Sequence, residues 1–143
     1  MKRTIIPLAA IILAATSCLS DGRKAPITVQ GLPDAAQQLL DTHFAGITAS
    51  YVIKETDFAD IDYDVRLENG TEIDLDDDGN WTKIDCRRNA VPEGLVPAEI
   101  LSKVKETFPG TFIVEIERER RGYDVELNNG LEVKFDRKFN LSL

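Results

Sequence analysis

Apolar and polar residues alternate with period two through much of the second half of this chain. Phe112, Val114 and Ile116 alternate with Ile113, Glu115 and Glu117. Tyr123, Val125 and Leu127 alternate with Asp124, Glu126 and Asn128, and Leu131, Val133 and Phe135 with Glu132, Lys134 and Asp136. This is the pattern of antiparallel strands with one face on a core and the other in water. Asn128-Asn129-Gly130 separates the last two strands, and Glu68-Asn69-Gly70 holds the equivalent place earlier. Asn-Gly predicts a tight hairpin because both central residues tolerate positive φ. Upstream of each strand set the period becomes helical. Ala36, Leu39, Leu40 and Phe44 follow Pro33, and Ile100, Leu101, Val104 and Phe108 follow Pro97. Proline suits a first helical turn, where its missing N–H costs nothing, and Gly46 and Pro109-Gly110 end the two helices.

The two sets are copies of one unit. Tyr63 to Asn80 reads YDVRLENGTEIDLDDDGN and Tyr123 to Asn140 reads YDVELNNGLEVKFDRKFN, identical at 9 of 18 positions without a gap. Such a repeat fixes architecture before any single residue is interpreted. The expected fold class is α+β, a tandem duplication of a helix followed by three to four antiparallel strands, with the helices on one face of the sheet. Fourth strands are expected at Trp81 to Cys86 and Phe139 to Leu143. The expected boundaries are a leader at 1–17, a tether at 18–31, repeat 1 at 32–90 and repeat 2 at 91–143. The two repeats are expected to pack as one module, since a unit of roughly 50 residues is marginal alone.

The leader has a positive start (Lys2, Arg3), an apolar run from Ile5 to Ala15, and small residues leading into Cys18. That is the anatomy of an export signal, and Ala15-Thr16-Ser17-Cys18 resembles a bacterial lipobox. The resemblance implies cleavage before Cys18 and its lipidation, with the protein anchored to the outer membrane of a Gram-negative-type envelope, facing the periplasm or the surface. Ordinary signal cleavage and an uncleaved anchor are the alternatives, and without lipidation a Cys18–Cys86 disulfide stays open. With Cys18 lipidated, Cys86 has no partner and reads as a small buried hydrophobe.

Without residues 1–17 the chain has 25 acidic and 15 basic side chains. So acidic a domain is ill suited to nucleic acid, and with no polybasic patch for anionic lipid in the sequence, membrane contact is expected through the lipid anchor alone. The acid is concentrated in the first repeat, where residues 33–90 hold 14 acidic and 5 basic side chains, against 10 and 8 in residues 91–143. Solubility accounts for the excess, or else a basic partner faces the first repeat.

Asp74-Leu75-Asp76-Asp77-Asp78-Gly79 opens like a calcium loop, in which alternate Asp oxygens wrap a hard cation. The second copy has Lys134, Asp136 and Lys138 at the same places and Phe139 for Gly79, so a polar turn is the expected role. Weak calcium binding through Asp74, Asp76 and Asp78 is the alternative. Tyr63 and Tyr123 recur and are expected to pack. Trp81 aligns with Leu141, and that asymmetry makes it a candidate anchor as well as a core residue. His43, the sole histidine, is expected at a helix end. One histidine without a nucleophile motif, together with the lack of a phosphate-binding glycine loop and of a CxxC motif, points away from an enzyme and from a cofactor.

The duplicated unit resembles the PepSY-like proteins, whose fold is likened to the beta-lactamase-inhibitor protein. The matching signs are Leu32-Pro33 and Val96-Pro97 opening each helix, Tyr63…Asn69-Gly70-Thr71-Glu72-Ile73, Asp78-Gly79-Asn80-Trp81 and Tyr123…Asn129-Gly130. They extend over nearly all of residues 32–143. The resemblance implies an envelope protein that binds a protein or peptide through its sheet face, inhibition of a secreted or periplasmic peptidase being one version. The expected contact residues are Asp62, Asp64, Arg66, Glu72 and Asp74, with Trp81. A monomer or weak dimer is expected, pairing through the terminal strand at Phe139, Leu141 and Leu143.

Overall fold

The computed structural model describes residues 22–142. Nine strands form one antiparallel sheet in which every strand lies beside its sequence neighbours. They are β1 (Arg23–Ile27), β2 (Ala49–Asp57), β3 (Asp60–Leu67), β4 (Glu72–Leu75), β5 (Trp81–Asp85), β6 (Ile113–Glu119), β7 (Gly122–Leu127), β8 (Glu132–Asp136) and β9 (Leu141–Ser142). Helix α1 (Asp34–His43) falls between β1 and β2, and α2 (Ala98–Thr107) between β5 and β6.

The expected α+β class, a tandem of helix-plus-strand units with helices covering one face of the sheet, is corrected by this arrangement. The described residues are predominantly antiparallel sheet, and their α-helices are two short segments of ten residues each. The reason is one of size. Nine strands spaced by about 4.8 Å extend roughly 40 Å, whereas a ten-residue helix is about 15 Å long. Each helix buries two of its residues, Ala36 and Leu40 in α1 and Ile100 and Val104 in α2. These join the strand residues Val65, Leu67, Ile73, Leu75, Ile84, Ile116, Val125, Leu127 and Val133 in one core cluster. The repeats meet where β5 pairs with β6, Ile84 opposite Ile116, and both residues are fully buried.

The expected tether is ordered over its last part, because Arg23 to Ile27 pair with Thr56 to Val52 as an edge strand. The alternation in the second repeat holds with one adjustment. A register shift between Ile113 and Glu115 leaves Ile113 and Val114 both buried and Phe112 exposed.

The turns are also longer than two residues. Leu67 N–H donates to Thr71 C=O and Gly70 N–H to Leu67 C=O, with the same pattern from Leu127 to Leu131. Only the glycines, Gly70 and Gly130, have positive φ. The asparagines contribute through their side chains, Asn69 Oδ1 accepting from Thr71 N–H and Asn129 Oδ1 from Leu131 N–H, each at 3.0 Å.

Candidate functional site

Strand alternation sends one set of side chains into the core and the other onto an open face, and the register aligns the open set into rows. The first row runs across seven strands as Tyr51, Arg66, Glu72, Asp85, Glu115, Glu126 and Glu132, each opposite the next. The second runs as Ile53, Asp64, Asp74, Lys83, Glu117, Asp124 and Lys134. Like charges directly opposite one another destabilise a sheet, yet the first row places five carboxylates side by side.

Basic side chains compensate part of this charge. Arg66 Nη1 lies 2.6 Å and Arg87 Nη2 2.7 Å from the same Glu72 Oε1, and Arg87 also reaches Asp85 at 3.4 Å. Lys83 Nζ is 2.8 Å from Glu115 and 3.8 Å from Glu117. Lys134 pairs with Asp124 at 2.6 Å. Among the described residues no such ion pair involves Glu126 or Glu132. Together with Glu115, Glu117, Asp124 and Lys134 they line a shallow cavity of about 130 Å³.

The electrostatics of the face agree with this crowding. Burial, reinforced by the neighbouring Asp64 carboxylate, pushes Asp74 up to about 6 although Lys83 pulls the other way. Burial, with Asp60 and Glu55 next in effect, also raises Asp62. Glu115 and Glu117 hold the Lys83 ammonium above its ordinary value, the hydrogen bond to Glu115 contributing most.

Asp62, Asp64, Arg66, Glu72 and Asp74, the contact residues expected from the sequence, all lie on one face of the sheet. Trp81 does not join them. It is 5% exposed and in the core cluster, with the Arg118 guanidinium 3.8 Å from its ring centre. Sequence reasoning did not single out Asp85, Glu115, Glu117, Glu126 and Glu132, although most were visible as the polar half of the alternation. The missing information was the β5–β6 pairing, which sets the acids of both repeats in register.

Asp74, Asp76 and Asp78 do not converge. Asp74 belongs to the open face, whereas Asp76 is committed to its own turn. Its Oδ1 accepts from Asp78 N–H at 3.1 Å and Asn80 N–H at 2.8 Å, and its Oδ2 from Asn80 Nδ2 at 3.4 Å. Asp136 makes the same three bonds with Lys138 and Asn140, which hold its carboxyl below the usual range. Among the described residues no three acidic, histidine or cysteine side chains are grouped closely enough to hold a metal.

Cys86 is buried, which pushes its thiol up, with the adjacent Thr71 hydroxyl acting in the opposite direction. Thr71 Oγ1 is itself buried and has no hydrogen-bond partner among the described residues. Cys18 lies outside the described residues. No helix among the described residues is long and apolar enough to cross a membrane.

The chain belongs to the PepSY-like family, described as beta-lactamase-inhibitor-like, whose model matches residues 61–142. Among solved structures it resembles a proposed periplasmic protein of the DUF2874 family from Bacteroides vulgatus ATCC 8482. The two are 38% identical, with a TM-score of 0.80, over 84% of this chain and 94% of that one. A proposed calcium-regulated periplasmic protein from Bacteroides thetaiotaomicron is 37% identical, with a TM-score of 0.79, over 84% and 94%. A second Bacteroides vulgatus protein, described as periplasmic and of unknown function, is 35% identical, with a TM-score of 0.79, over 85% and 98%. No protein of curated function matches.

Proposed function

We propose that this protein is a non-enzymatic envelope module, lipid-anchored through Cys18, that binds a basic segment of a protein or peptide across the open face of its sheet. One version of this role is inhibition of a secreted or periplasmic peptidase. The observation that carries the reading is the first row, five carboxylates in succession whose last two, Glu126 and Glu132, have no ion pair among the described residues. A lysine or arginine side chain laid across them would relieve the like-charge repulsion that the fold bears when free. Tyr51, 45% exposed at the other end of the row, offers an aromatic contact of the kind favoured in interfaces.

The test is titration calorimetry of the protein with a lysine- and arginine-containing peptide and with its glutamate-substituted counterpart. Binding of the basic peptide alone, weakened by Glu126→Gln with Glu132→Gln, supports the reading. Equal binding of both peptides, or none, contradicts it.

The description of the Bacteroides thetaiotaomicron protein supports a second reading, weak calcium binding through the Asp74–Asp78 loop, which would require Asp76 to leave its turn bonds and the three acids to be drawn together. The first reading predicts that calcium weakens peptide binding no more than magnesium at equal ionic strength. A calcium-specific rise in melting temperature favours the second.

A further inference from the structure

We propose that the end of the sheet carrying the β2–β3 and β6–β7 turns is a membrane-contacting rim, with Phe58 as its inserted side chain; this rests on the lipidation of Cys18. Antiparallel order puts four hairpin ends at this rim, residues 57–60, 76–80, 119–122 and 136–140. The chain enters the fold at the same rim. Arg23 pairs with Thr56, and Gly22 lies so near the β2–β3 turn that a Cβ on it would be 3.5 Å from Asp57 Cβ.

Cys18 is four residues before Gly22, a reach of at most about 14 Å even when fully extended. An acylated Cys18 therefore holds this turn beside the bilayer. At its tip is Phe58, 93% exposed at φ 51°, a left-handed conformation that is strained for a bulky residue. A large apolar side chain in that place has no packing role, but it suits the boundary between headgroups and acyl chains.

Farther along the same rim the chain, acidic overall, gathers Arg120, Arg121, Arg137 and Lys138, all exposed. Arg137 ties the two basic turns together by donating to Arg120 C=O from Nη2 at 2.6 Å and Nε at 3.0 Å. These four, with Asp136 and Asn140, line an open groove of about 500 Å³ suited to anionic headgroups. Asp57 and Asp60 on either side of Phe58, and the turn holding Asp77 and Asp78, work against anionic lipid, so the apolar contact is assigned to the Phe58 ring alone and the headgroup contact to the basic turns, not to the whole rim. The tether supplies the proximity, so the rim needs little affinity of its own. In this pose the strands stand upright on the bilayer and the acidic face is free for its partner.

The test uses the mature protein, with acylation of Cys18 established by mass, reconstituted in vesicles of brominated phosphatidylcholine with and without phosphatidylglycerol. Phe58→Trp and, at the opposite end of the sheet, Asn129→Trp report bilayer contact over the constant background of the buried Trp81. The expected result is a blue shift and loss of emission for Phe58→Trp only. Phosphatidylglycerol should deepen the loss, and Arg120→Gln with Arg121→Gln should reverse that deepening. An acylated protein in which Phe58→Trp is quenched no more than Asn129→Trp overturns the rim contact while leaving the anchor in place. A mature mass without acyl chains removes the anchor, and the proposal with it. Concentration-dependent self-association of the Cys18→Ser chain that Phe58→Ala abolishes would assign the rim to a second copy instead and overturn the proposal.

Discussion

At the scale of the residue, Asp74 shows what the open face costs the fold. Its carboxyl is pushed up to about 6 by burial and then by Asp64, so the folded state holds the proton more tightly than the unfolded chain does. Asp74 therefore favours folding below about pH 4, and that contribution is lost as the pH rises through about 6. Asp74→Asn should stabilise the protein by about 1 kcal/mol at pH 7, after allowance for solvent screening, and by almost nothing at pH 4. Urea unfolding at the two values checks both. Thr71 offers a second case. Its hydroxyl is buried, with the residue 1% exposed, and has no partner among the described residues, so Thr71→Val removes an unmet polar group at nearly constant volume. The expected gain is about 1 kcal/mol, read as a higher urea midpoint with an unchanged slope. Neither burial was legible in the sequence, where Thr71 is one turn residue among several and Asp74, although named for the open face and the polar turn, is one of 25 acids. Burial depends on which strands lie side by side, and composition does not carry that. Trp81, for which the sequence offered both a core role and, through its lack of an aromatic counterpart in repeat 2, a surface anchor, lies opposite Leu75 and takes the core role.

At the scale of the element, the turns were the most legible feature, because local chemistry builds them. The turns fall where Asn69-Gly70 and Asn129-Gly130 put them, though as longer loops in which only the glycine takes positive φ and the asparagine acts through its side chain, and Asp76 and Asp136 form the expected polar turns. Edge strand β1 was obscured by Pro26 and by flanking glycines, which hid a segment that needs only β2 as a partner. Two glycines mark where elements approach most closely. Gly79, at φ 84°, would place a Cβ 2.8 Å from Pro33 Cβ at the start of α1, and a Cβ on Gly122 would come within 1.8 Å of Phe135 O. Gly122→Ala should therefore destabilise by about 3 kcal/mol or more, because backbone atoms cannot yield as a flexible side chain can. Gly79→Ala should cost about 2 kcal/mol through its positive φ and its contact with α1. Thermal unfolding of both variants, compared with the same change at Gly46, where nothing lies within 4 Å, separates crowding from backbone strain.

At the scale of the whole molecule, the sequence led to the expectation of a tandem of helix-and-strand units, and the structure is instead one nine-stranded sheet that runs through both repeats by way of β5 and β6. The buried Ile84–Ile116 pair at this seam makes the repeats interdependent. Ile116→Ala should cost about 3 kcal/mol and lower the stability of both repeats together, with fluorescence of Trp81 and far-ultraviolet circular dichroism still unfolding in coincident transitions. The same seam carries Asp85 and Glu115 into one row and so makes the acidic face continuous, a property that neither repeat has by itself. If a basic segment binds there, its affinity must fall as salt rises, and must fall again below about pH 6 as Asp74 takes up its proton. The most direct measurement of the central claim is titration calorimetry of a basic peptide against the native chain and the Glu126→Gln, Glu132→Gln variant, at low and at physiological salt. The account predicts salt-sensitive binding that the variant loses by roughly tenfold or more, the size expected of unpaired charges that a cation neutralises. Equal affinity for native chain and variant, or binding indifferent to salt, would contradict it.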